Sequence, residues 1–149
     1  GCNNGLNVSF DTMYSGTIGA CLEAMTRKVP AIAFSCDGNF DLVDNNFDIV
    51  IDYIKKNNLL SSEYFISVNY PITGQIKGIS LSKLFYRKNT AFYTQKDGKY
   101  YADRLDPIEE CGEDTELFQI AHGYISLTPI SKTYFSNSIY NELIKTLKK

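Results

Sequence analysis

The sequence has little of several things, and each shortage closes off a class of function. No apolar run approaches the roughly 20 residues a membrane-spanning helix needs, and the first residues lack the charged-then-apolar order of a signal peptide, so a cytoplasmic protein with no membrane partner is expected. Neither sign of charge is in excess. Lys and Arg number 15 against 17 Asp and Glu, a net charge of −2, which gives no electrostatic reason to expect a nucleic-acid polymer or an acidic lipid surface as partner. His122 is the only histidine. A serine hydrolase would have to draw its base from that one residue, far in sequence from Ser15, and "YSGT" is not the G-x-S-x-G elbow. Cys2, Cys21, Cys36 and Cys111 contain no C-x-x-C pair, which argues against a zinc site or a dense disulfide framework and for free thiols.

What is present suits one globular domain. With 44% hydrophobic and 13% aromatic residues in 149, the chain can bury a sizeable core, and a single domain over residues 1–149 is expected. Ile18, Cys21, Leu22 and Met25 recur at helical spacing in a predicted helix over 15–28, where Gly19 and Ala20 are small enough to approach a sheet closely. "VPAIAFS" then reads as a strand buried on both faces. Val43, Phe47, Val50, Ile51 and Ile54 mark a second amphipathic helix, closed by "KKNN". These elements make residues 1–60 an α/β core portion.

Strands dominate the next stretch. "YFISVNYP", "IKGISLSK", "TAFYTQ" and "KYYADRL" are rich in β-formers, with "KDG" as a hairpin turn, so residues 64–106 are read as a strand-rich region with an antiparallel hairpin arm. Residues 113–149 read as helix, strand and helix: a short helix through Leu117, Phe118 and Ala121 that stops at Gly123, the strand "YISLTPI", and an amphipathic end with Ile139, Leu143, Ile144 and Leu147 on one face. Only "AIAFS" clearly has the character of a parallel strand, and Gly1 opens a loop-like segment. The chain is therefore expected to be the back part of a larger α/β domain.

One segment invites a chemical reading. "YSGTIGA" places Ser15, Gly16 and Thr17 at a helix start, where a hydroxyl caps the unpaired N–H groups and where the same groups bind phosphate. Spacing alone leaves both readings open. Asp37 and Asp41 follow the buried strand at the end where α/β sites open, but polar loops there are mostly just solvated. His122, one residue before Gly123, suits a helix C-terminus better than catalysis.

The opening block "GCNNGLNVSFDTMYSGTIGACLEAMTRKVPAIAFS" resembles the survival protein SurE family, the 5'/3'-nucleotidases. Gly1, Asn3, Gly5, Asn7, Asp11, Tyr14, Ser15, Gly16, Thr17, Glu23, Pro30 and Ser35 stand in register with the family pattern. "VNYPI", "IKGISLSK" and "EDTELFQIAHGYISLTPI" resemble its later motifs. Ser9 and Ala24 stand where the family has glycine, and Glu116 and Gln119 where it has Asp and Ala. The family's paired aspartates and a serine ligand have no counterpart in these residues.

The resemblance implies a Rossmann-like α/β fold, a parallel or mixed sheet with flanking helices plus an extended β-hairpin arm, with its N-terminal part missing. It implies a metal-dependent phosphomonoesterase that hydrolyses nucleoside 5'- and 3'-monophosphates with a divalent cation, Mg or Mn. Asn3 is then the catalytic metal ligand, Ser15, Gly16 and Thr17 bind phosphate, and Asn7 and Asp11 support the loop around them. An exchanged arm and C-terminal segment imply a homodimer or homotetramer. The alternative is a non-catalytic, oligomerising phosphate-binding module that lacks the metal carboxylates.

Overall fold

The computed structural model describes residues 1–86, 92–103, 111–131, 139–140 and 143. Five strands form the main sheet in the order β1 (Asn3–Asn4), β2 (Ile32–Cys36), β3 (Tyr64–Asn69), β7 (Tyr124–Ser131) and β4 (Gly78–Leu81). β1, β2 and β3 run parallel, β7 is antiparallel to β3, and β4 is parallel to β7. "YFISVN", grouped by its composition with the strand-rich region, is thus the last of the three parallel strands and the middle strand of the sheet. Its nearly continuous apolar run belongs to a strand covered on both faces. Pro129 of β7 faces Ile66 of β3 and lies past the residues that pair with β4, so the missing N–H costs no ladder bond on that side.

Helices cover both faces. On one, α2 (Phe40–Asp44) and α3 (Phe47–Lys56) supply Val43, Val50 and Ile54, which pack with Ile66, Val68, Tyr70, Ile125 and Leu127. The single helix expected through Val43 and Ile54 is therefore two. Asn45 closes the first and Asn46 opens the second, because asparagine side chains and bent backbone compete well with helix continuation. On the other face, α1 (Gly16–Thr26) presses Ile18, Cys21 and Met25 onto Ala33 and Phe65. Gly19 and Ala20 point away from the sheet and are exposed, so close backbone approach is not their role. α1 ends two residues earlier than expected. Lys28 adopts φ 62°, and the N–H groups of Lys28 and Val29 return to the carbonyls of Met25 and Ala24, a left-handed stop that the following Pro30 reinforces.

α4 (Glu116–Ala121) shares the α1 face, packing Leu117 and Ile120 on Val8. His122 caps it: its Nδ1 lies 2.8 Å from the Phe118 carbonyl, and its ring stacks on Phe118 at 3.8 Å. Gly123 follows at φ 90°, and a Cβ there would lie 3.0 Å from the Gln75 carbonyl, so glycine is required both for conformation and for space. β5 (Phe92–Lys96) and β6 (Lys99–Asp103) form a separate antiparallel hairpin. Its Asp97 and Gly98 both take positive φ, as the "KDG" signal requires. Most of the amphipathic C-terminal segment lies outside the described residues. Cys2, Cys21 and Cys36 form no disulfide, and no described helix is long and apolar enough to cross a membrane.

Candidate functional site

The α1 face of the sheet changes character along its strands. Near α1 it is apolar, but toward the carboxyl ends of β2 and β3 it becomes a row of small polar groups. Asn3, Ser35, Asn69, Ser126 and Ser80 lie side by side across the five strands, with Ser67 and Thr128 one step behind. Ser35, Ser67, Asn69, Ser126 and Thr128 are almost wholly buried. Burying so many hydroxyls and amides is tolerable only if they bond to one another or to covering backbone. Ser82 and Ser126 hydroxyls meet at 2.6 Å, and the Ser126 and Thr128 hydroxyls at 3.3 Å.

The cover over β2 and β3 is the segment that leaves β1. Gly5, at φ 119°, donates its N–H to the Cys36 carbonyl at 2.7 Å. Asn7 donates its side-chain amide to Ser35 Oγ at 2.7 Å and its backbone N–H to Asn69 Oδ1 at 2.8 Å. Ser9 then takes φ 53°, and its N–H donates to Glu116 Oε1 at 2.9 Å. A 3-10 helix over Ser9–Tyr14 leads to α1. Asp11 lies in it, half-buried, with its N–H on the Val8 carbonyl at 3.0 Å. Left-handed backbone at Ser9 fits the glycine that the SurE pattern carries there.

The circuit closes where it began. Thr17 donates its hydroxyl to Asn3 Oδ1 at 3.2 Å, while Asn3 Nδ2 donates to the Gly5 carbonyl at 2.7 Å. Those two bonds fix which way the Asn3 amide faces: oxygen toward the start of α1, nitrogen toward its own loop. Ser15 is the N-cap of α1, and its Oγ accepts the Ile18 N–H at 3.2 Å. Gly19 N–H reaches the Ser15 carbonyl. This leaves the N–H groups of Gly16 and Thr17 with no acceptor among the described residues, and a Cβ at Gly16 would meet nothing within 4 Å. Capping, one of the two readings the sequence leaves open, falls on the Ser15 oxygen, and it does not use the next two N–H groups, which lie at the positive end of the helix.

Other polar residues stand apart. Asp37 and Asp41 are exposed, and among the described residues no three His, Cys, Asp or Glu side chains gather closely enough to hold a metal ion. Two apolar clefts also lie outside the site, one of about 320 Å³ lined by Phe10, Met13, Leu84 and Tyr86 and one of about 500 Å³ lined by Cys2, Phe34, Val43 and Phe47. Behind the second, burial and the neighbouring Cys36 push the Cys2 thiol up to about 12, so it stays protonated. Tyr70, also buried there, has no partner for its hydroxyl among the described residues.

Two side chains that matter to this arrangement carried no site assignment in the sequence, Asn69 and Glu116. Glu116 is fully buried, with its two oxygens accepting N–H bonds from Ser9 at 2.9 Å and Phe85 at 2.8 Å. Burial pushes its carboxyl above the ordinary glutamate range, and those N–H bonds pull partly back,. The signal for Asn69 was faint but present: an asparagine inside a run of strand formers, where it is disfavoured unless its amide is used.

Comparison with known proteins follows the same lines. The model of the family described as "Survival protein SurE" matches residues 1–91. The 5'-nucleotidase SurE of Histophilus somni is 36% identical over 139 residues, which cover 87% of this chain and 56% of that protein. Its counterpart from Haemophilus influenzae is 34% identical over the same share of this chain and 55% of its own length. The crystal structure of the SurE protein from Aquifex aeolicus superposes with a TM-score of 0.78 at 26% identity, covering all of this chain and 64% of that one. The chain spans about half the length of the curated relatives it matches.

Proposed function

The chain belongs to the survival protein SurE family, and from that premise we propose that it forms the phosphate-holding part of a phosphomonoesterase that hydrolyses nucleoside 5'- and 3'-monophosphates to nucleoside and phosphate. The observation that carries the reading is the Thr17–Asn3 bond at 3.2 Å. It joins the two stretches of the opening motif, 14 residues apart, into one site at the carboxyl edge of the parallel strands, where α/β folds bind ligands. The Gly16 and Thr17 N–H groups hold the phosphoryl oxygens at the positive end of an 11-residue helix,. Ser15 keeps that turn in shape and has its hydroxyl hydrogen left to donate. Asn7 and Asp11 hold the connecting segment.

A bound divalent cation, Mg²⁺ or Mn²⁺, supplies stabilisation of phosphoryl charge and activation of water. Such a cation prefers several oxygens, some of them anionic. Asn3 brings one neutral oxygen, already accepting from Thr17, so the described donors make one corner of a metal site and not a whole one. Residues 1–149 by themselves are therefore expected to bind phosphate without turning over a nucleotide, and a non-catalytic phosphate-binding module is the second reading that this donor set favours.

The hairpin supports an assembly proposal. Tyr93 and Tyr100 of the hairpin are each 69% exposed, and an isolated two-stranded hairpin is marginal in water. A homodimer or homotetramer in which the arm packs on another copy covers these rings.

The deciding experiment measures phosphate release from a nucleoside monophosphate with Mn²⁺ or Mg²⁺, for residues 1–149 alone and with an added SurE-family segment bearing the paired aspartates. Activity that appears only with the added segment supports the enzyme. A folded, complemented protein that stays inactive sinks it in favour of the binding module.

A further inference from the structure

We propose that Asn69, at the end of β3, is a positioning residue for this phosphate site, acting through the backbone of Asn7; the inference rests on the phosphate reading above. Asn3 and the start of α1 belong to different elements, and the segment between them contains no strand. Something must hold its course. Asn69 does so with a paired contact: its Oδ1 accepts the Asn7 N–H at 2.8 Å, and its Nδ2 donates to the Asn7 carbonyl at 3.1 Å. One side-chain amide thus satisfies both backbone groups of one residue, as a neighbouring strand would.

The contact is oriented and rigid. Ser67 Oγ accepts a further bond from Asn69 Nδ2 at 3.3 Å, which fixes the amide so that its oxygen faces the Asn7 N–H. The Asn7 side chain is tied in turn to Ser35, the residue in register with both Asn3 and Asn69. Asn69, Asn7 and Ser35 are all buried. Their low-dielectric surroundings strengthen each bond and make each unmade one expensive. A displaced Asn7 carries the whole segment with it, and the Thr17–Asn3 contact is where the displacement is felt.

The test is a titration with inorganic phosphate, followed through the amide signals of Gly16 and Thr17 by NMR, in the unaltered protein and in two variants. Asn69→Asp keeps the acceptor for the Asn7 N–H and removes the donor to its carbonyl. Ser126→Ala removes a hydroxyl from the same buried row that, among the described residues, bonds only Ser82 and Thr128. Asn69→Asp is expected to weaken phosphate binding by about tenfold, the scale of lost outer-layer support at a bound ion, while Ser126→Ala stays within about twofold of the parent at one lost hydrogen bond's cost in stability.

Equal weakening in both variants, or none in Asn69→Asp, overturns the positioning role and leaves the phosphate site standing. No response of Gly16 and Thr17 in the parent removes the phosphate site and the positioning role together. Should Asn69→Asp fail to fold, amide exchange in the parent decides. The Asn7 N–H is expected to exchange as slowly as those of β3, and exchange at the rate of an open loop refutes the proposal.

Discussion

Replacing Glu116 by alanine gives a sharp test of how the segment carrying the site is held. Its carboxylate has no exposure and serves two backbone N–H groups, Ser9 at 2.9 Å and Phe85 at 2.8 Å. The first belongs to the segment that covers the polar row, the second to the chain leading toward the hairpin. Alanine orphans both. The fully buried Ser9 N–H is expected to cost about 2–3 kcal/mol and the half-buried Phe85 N–H about 1, so the loss is about 3–4 kcal/mol, before any packing loss. Against a typical domain stability of about 5–15 kcal/mol, that is a large fraction. With a urea slope near 2 kcal/mol/M, the unfolding midpoint by circular dichroism falls by roughly 1.5–2 M.

Glu116→Gln should lose about half as much, because one amide oxygen still accepts while the NH₂ group opposes the other donor. The pH dependence has a definite sign. Burial raises the folded-state pKa of Glu116, so its linkage contribution is fully present below the unfolded pKa and is lost as pH rises through the raised folded value. The stability advantage of the parent over Glu116→Gln should shrink as pH climbs out of the ordinary glutamate range. A Glu116→Ala loss under about 1 kcal/mol would refute the clasp, since a single orphaned buried N–H already costs that much.

Thr17→Ala removes the hydroxyl on Asn3 and should weaken inorganic phosphate binding by about fivefold, one hydrogen bond's worth, in the same NMR titration; an unchanged affinity would disconnect Thr17 from the site. In the complemented enzyme, Asn3→Ala should lower nucleotide turnover on the order of 10²-fold, measured as phosphate release. Robust metal-dependent turnover by residues 1–149 alone would instead point to Asp11, Asp37 or Asp41 as ligands. Tyr70→Phe deletes a buried hydroxyl without a partner among the described residues and should raise stability by about 1 kcal/mol in urea titration; a loss would mean that the hydroxyl is bonded. Light scattering should return a dimer or tetramer, and a clean monomer over a wide concentration range would rule out exchange of the arm.

The parts whose physics is local could be read from the residues alone. Apolar spacing placed α1 and α3, the "KDG" turn placed the β5–β6 hairpin, and the gap between Ser15 and Pro30 bounded the first helix, because periodicity, caps and turn residues act within a few positions. The register of Asn3 with Ser15, Gly16 and Thr17 was legible as a motif, but the bond that joins them was not. That "YFISVN" joins the parallel strands emerges only with the folded sheet, since a β-rich run looks the same whichever neighbour it pairs with,. Folding alone brings Asn69 to Asn7 across 62 positions and Glu116 to Ser9 across 107. Those contacts depend on which strand ends lie side by side and which backbone groups a covering segment leaves unpaired, and neither is fixed until the sheet has formed.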